Sequence, residues 1–174
     1  GQMSNLSSMS VTLTEGEQML VRFVAEQRQN HHRRVGMVNL KTCDDGALHV
    51  ETIGVGGELA FCKMRNLCPD FSLTAGVADC VSSTGKTIDV KTTEAKKGLR
   101  LNVHGNKRHS PCDWYVLLEC HWPVFRLVGY ASAEQVFDPK YERKNDYGNG
   151  GTYFSLEASD LLMGRPTEQL EQSV

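Results

Sequence analysis

The stretch VADCVSSTGKTIDVKTT, residues 77–93, decides how the rest of the chain is read. Residues 77–81 and 87–91 are short and rich in β-branched side chains. The segment between them, SSTGK, is small and polar with a single glycine, the composition of a hairpin loop. A turn centred on Thr84 pairs Asp79 with Asp89 and Val77 with Lys91, and the two-residue period of a strand then sends Asp79, Asp89 and Lys91 to one face. Ala78, Cys80, Ile88 and Val90 form the opposite, apolar face. Carboxylates directly opposite one another repel, so the arrangement costs stability unless a cation lies between them. A hard divalent cation with oxygen ligands resolves the conflict. The competing reading makes Asp89 and Lys91 an ordinary solvated strand face and Asp79 a polar residue near a hairpin end, since Asp-x-Lys is a short pattern.

Length and composition frame this hairpin. A chain of 174 residues, 40% hydrophobic and 23% charged, has the composition of one globular domain with a sizeable core. We expect that domain to run over residues 11–163, between a polar tail at 1–10, where Gly1-Gln2 ahead of Met3 reads as an expression remnant, and a loose tail at 164–174. The net charge of −2 announces no global attraction to nucleic acid. Its distribution is uneven: Lys86, Lys91, Lys96, Lys97, Arg100, Lys107 and Arg108 face only Asp89 and Glu94 in the same segment. A basic segment beside a carboxylate pair suits a polyanionic substrate; the alternative is a solvated loop.

The six cysteines occur without CxxC spacing or a secretory signal, and no run is apolar enough to span a membrane, so reduced, mostly buried thiols in a cytoplasmic protein are expected. A zinc site from Cys112, Cys120 and His121 with His109 stays open, although its spacing fits no common zinc pattern.

Outward from the hairpin, Thr12 or Thr14 begins a helix to about Arg34, with Met19, Leu20, Phe23 and Val24 as its apolar stripe. Strands are expected at 35–40 and 47–53, with a turn at 43–46 between them. After the glycines at 54, 56 and 57 a short helix spans 58–67, with Glu58 in its first turn, where a carboxylate also serves as a cap. The glycines fit no phosphate-loop fingerprint and are better explained by close approach of this helix to a sheet. Downstream, 99–104 reads as a strand, 114–120 as a central strand covered on both faces, and 125–131 as another, leading into a short helix capped by Ser132. A charged loop at 138–151 precedes a strand at 152–156 and a helical turn at 159–163.

The helix glutamate, the aspartate of one strand and Asp-Val-Lys on its hairpin partner together resemble the signature of the PD-(D/E)XK nuclease superfamily. The likeness covers residues 54–163 in order and is greatest to small phage- and prophage-borne members. It implies an α/β (α+β) restriction-endonuclease-like fold, a central mixed β-sheet with flanking helices. It also implies that Asp79, Asp89 and the backbone carbonyl of Val90 bind Mg2+ or Mn2+, that Glu58 completes the site directly or through water, and that Lys91 positions or activates the attacking water and stabilises charge on the phosphate. Thr92 and Thr93 would orient the lysine or touch a phosphate. The pattern departs from the family at Ala78, where a proline is usual, while a literal Pro69-Asp70 lies upstream. Strand pairing favours Asp79 and leaves Asp70 in a loop after a helix stop.

The expected function is metal-dependent hydrolysis of DNA phosphodiester bonds, with Lys96, Lys97, Arg100, Lys107 and Arg108, and with them His104 and His109, on backbone phosphates. A homodimer would suit cleavage of both strands of a duplex. The alternative is a nuclease-fold binding or regulatory protein that engages nucleic acid or a host protein.

Overall fold

The computed structural model describes residues 9–35, 45–73, 78–94, 98–146 and 151–162. Thr14 opens the first helix, α1 (Glu15–Arg34), by a reciprocal capping box: its Oγ1 accepts from the Glu17 amide, and its own amide donates to Glu17 Oε1. The helix buries Val21, Val24 and Ala25 and leaves Met19, Leu20 and Phe23 exposed, which corrects the expected stripe in all but Val24. Apolar side chains occupy both faces of this segment, so helical spacing alone does not choose between them. The buried face continues by one turn to Arg28.

The second helix, α2 (Asp45–Arg65), is uninterrupted. The strand expected at 47–53 is therefore helical, and so are Asp45 and Gly46 of the turn expected at 43–46; Cys43 and Asp44, like residues 36–40 of the other expected strand, lie outside the described residues. Thr52 Oγ1 donates to the Leu48 carbonyl one turn back, as a helical threonine can. Interior glycine costs about 1 kcal/mol relative to alanine in a helix. The cost is offset by packing: a Cβ on Gly57 would sit 1.8 Å from Thr92 Oγ1, and one on Gly56 would sit 2.7 Å from the Phe125 ring. The glycines are thus where α2 lies directly on the sheet.

That sheet has five strands. In chain order they are β1 (Ser10–Thr12), β2 (Cys80–Val81), β3 (Thr87–Thr93), β5 (Trp114–His121) and β6 (Val124–Ser132), arranged β1-β6-β5-β3-β2. β3 and β5 run parallel, with Asp89 beside Tyr115 and Lys91 beside Leu117; the other pairs are antiparallel. A second, three-stranded antiparallel sheet is formed by β4 (Arg100–His104), β8 (Thr152–Glu157) and β7 (Glu142–Lys144), the last a short strand within the expected loop. β5 is the central, doubly covered strand expected. Val116 and Leu118 pack toward α1 and α2, whereas Tyr115 and Leu117 join Leu101, Val103, Phe154 and Leu156 under the small sheet. The architecture is α+β, a mixed sheet with the long helices on one face and, on the other, the small sheet and the short helix α3 (Ala133–Val136) capped by Ser132. No helix of the described residues is long and apolar enough to cross a membrane.

Candidate active site

The hairpin forms with the expected register over β2, but the pairing ends there: Asp79, expected in the strand opposite Asp89, lies in a bend just before β2, and Val77, expected opposite Lys91, lies outside the described residues. Cys80 pairs with Ile88 and Val81 with Thr87, the Asp79 amide donates to the Ile88 carbonyl at 3.0 Å, and the loop closes from the Ser82 amide to the Lys86 carbonyl. β2 is only two residues long, so the outer edge of β3 has no strand partner at Val90. Asp79 occupies that edge by its side chain: Oδ2 accepts from the Val90 amide at 2.7 Å. The Val90 amide and carbonyl are directed to the same edge, as strand geometry requires, so this carbonyl lies on the side that Asp79 occupies.

Three carboxyl groups meet at this edge. Asp89 is 6% exposed and lies on the small-sheet side of β3, and Glu58, also 6% exposed, comes from the middle of α2 on the helix side. Its mid-helix position removes the capping explanation for Glu58. The Asp79 carboxyl lies between them and shares a hydrogen bond with Glu58. Burial first, then the charges of Glu58 and Asp89, push its pKa far above the usual aspartate range, with the Val90 amide opposing. Two ion pairs hold the other acids: Lys91 Nζ is 3.1 Å from Asp89 Oδ1, and Arg28 grips Glu58 with Nη1 and Nη2, each 2.9 Å from one carboxylate oxygen. Arg28 also lies 3.9 Å from Glu51. Burial alone would lower the pKa of Arg28, but the hydrogen bonds and charge of Glu58, with the charges of Glu51 and Asp79, raise it. Burial likewise raises the Glu51 carboxyl, against the pull of Arg28 and His32.

Arg28 and Glu51 are the site residues that sequence reasoning missed. Arg28 lies one turn beyond Val24 and Ala25, and once the packing of α1 shows that this face is buried, a cation on it needs an acid partner. Beneath the site, Cys62 and Cys80 are buried neighbours. Their mutual hydrogen bond and burial hold the Cys80 thiol well above its usual pKa, so it stays protonated.

The remaining expected residues are placed as follows. Asp70 is exposed, its Oδ1 accepts from the Ser72 amide, and only its backbone reaches the site region, donating to the Asp79 carbonyl and accepting from Arg28. Thr92 Oγ1 is buried against Gly57 without a hydrogen-bond partner, so it faces the helix rather than Lys91. Arg100 is committed to the small sheet, with Nε on Ser155 Oγ at 2.7 Å and Nη1 on Glu157 at 3.1 Å. Lys107 and Arg108 lie in a 3-10 turn (Gly105–His109) after β4, Arg108 exposed and 3.9 Å from Glu142. His104 accepts from the Asn106 amide and so caps that turn, in which His109 is exposed. Lys96 and Lys97 lie outside the described residues. Cys112 precedes β5 and Cys120 lies within it near the opposite end, and His121 is paired with Glu119, so the structure does not gather the considered zinc set.

Among the described residues, no three His, Cys, Asp or Glu side chains stand as a ready coordination shell. The donors at the β3 edge nevertheless suit magnesium, which is held through one or two carboxylates together with substrate phosphates rather than by an all-protein cage. Asp79 and Asp89 supply hard oxygen donors, and burial, then the charges of Glu58 and Asp89, favour a proton on Asp79 where a cation would serve. Compared with known proteins, the chain matches no family model and no curated sequence.

Proposed function

We propose that this protein is a metal-dependent nuclease of the PD-(D/E)XK type that hydrolyses phosphodiester bonds in DNA. The observation that carries the reading is the edge of β3, where Asp79, Asp89, Glu58 and Lys91 converge from a helix and a hairpin. Asp79, Asp89 and the Val90 carbonyl would hold Mg2+ or Mn2+. When bound, the ion supplies charge neutralisation for the phosphate and a more acidic water. Lys91, partly exposed beside Asp89, would donate to a phosphate oxygen and hold the attacking water. Glu58, fixed by Arg28, keeps the third carboxylate against Asp79. The restriction-endonuclease-like assignment, the phage-type kinship and action in the reducing cytoplasm belong to this proposal. Free thiols at Cys62, Cys68, Cys80, Cys112 and Cys120 support the last. Lys107 and Arg108 remain the described candidates for phosphate contacts.

One observation favours a second reading, a nuclease-fold binding module: the outer face of α1 exposes Met19 at 68% and Phe23 at 60%. Incubation with linear, nicked, branched and single-stranded DNA, in magnesium and in chelator, separates the two. The nuclease reading expects magnesium-dependent cleavage that falls about 10²–10³-fold in Lys91→Ala and is lost in Asp79→Ala but kept in Asp70→Ala. Inertness on every substrate moves the assignment to the binding module. Loss with Asp70→Ala and none with Asp79→Ala would overturn the site.

A further inference from the structure

Arg28 is a cation set among acids. Its two outer nitrogens take both oxygens of Glu58 at 2.9 Å, Nη1 also lies 3.9 Å from Glu51, and its side chain is 13% exposed. On the other side of the cluster, Lys91 serves Asp89 from a position 35% exposed. When Glu51, Glu58, Asp79 and Asp89 are all ionised they carry four negative charges, and Arg28 with Lys91 returns two. The remainder equals the charge of a single divalent ion.

From this arrangement we propose that Arg28 is a resident cation occupying the place of a second metal ion. It closes the Glu51–Glu58 side of the site, so that one divalent ion binds per chain, on the Asp79–Asp89 side. The inference rests on the nuclease reading above. A guanidinium suits the position because it is permanently charged, weakly hydrated and shaped to take a carboxylate by two parallel bonds. Being part of α1, it cannot dissociate, and the bidentate pair offsets the cost of its burial. With no second ion, charge that develops on the phosphate away from the metal falls to Lys91.

The test is the number of ions bound, read by calorimetric titration of the whole chain with Mn2+ and by the electron paramagnetic resonance of bound Mn2+. Wild type is expected to take one ion per chain, Arg28→Met two, the second between Glu51 and Glu58, and Arg28→Lys one, because charge is kept there. Circular dichroism establishes that each variant is folded. Two ions in wild type overturn the proposal whether or not Arg28→Met folds, and so does a single ion in folded Arg28→Met. No ion in wild type would remove the metal-dependent nuclease reading and this inference with it, a result distinct from one ion in both proteins, which removes only the role of Arg28.

Discussion

Asp79 is the residue whose environment makes the sharpest prediction. Its carboxyl is raised from 3.8 to about 10, by burial first and then by the charges of Glu58 and Asp89. The folded protein therefore keeps a proton that the unfolded chain releases. The stability contributed by this group is fully present below the unfolded value and falls as pH rises toward the folded one. Thermal melts of the ion-free protein should show decreasing stability between about pH 5 and about pH 9. Asp79→Asn should flatten that slope and melt higher at the alkaline end, and magnesium should flatten it in wild type. An unchanged slope in Asp79→Asn would show that the carboxyl is not held neutral. At this scale the sequence was partly legible. Strand alternation put Asp89 and Lys91 on one face and turn length brought Asp79 beside them, although Asp79 reaches the β3 edge from a bend rather than from within a strand. Arg28 was obscured because residues 19, 20, 21, 23, 24 and 25 of α1 are all apolar, and only packing against α2 shows which of them face inward.

Among the elements, α2 carries the largest difference between expectation and structure, and its glycines explain why. Gly54, Gly56 and Gly57 look like a break in a helix, and their intrinsic propensity says so. What keeps the helix continuous is contact with Thr92 and Phe125, residues distant in sequence whose proximity no local pattern reports. Opposite signs follow for two neighbouring substitutions. Gly54 has open space at its Cβ position, so Gly54→Ala should stabilise by up to about 1 kcal/mol. Gly57→Ala places a methyl group into Thr92 and should destabilise by about 1–3 kcal/mol while displacing the adjacent Glu58 from the site. Urea denaturation of both variants checks the signs, and stabilisation by Gly57→Ala would mean that α2 does not rest on β3. The short β7 was illegible for a related reason: its three residues are a strand only by pairing with β8.

For the molecule as a whole, β5 was readable as a continuous apolar run because a strand covered on both faces is apolar throughout, whereas the small sheet under it was not, since β4 and β8 are joined across a long span of chain. The same ordering along the chain has a kinetic consequence. Arg28, Glu58, Asp79, Asp89 and Lys91 all precede β5, so the charged cluster is encoded before the strand that completes its sheet. β1, near the start of the chain, must wait for β6, because Val11 pairs with Phe125. Closing so long a loop is entropically costly and gains little from a three-residue strand, so it belongs after the rate-limiting step. Val11→Ala is accordingly expected to speed unfolding and leave the folding rate nearly unchanged in stopped-flow measurements, a φ-value near zero; a value near one would place β1 in the nucleus. The strand that opens the described chain is then a latch, set last and released first.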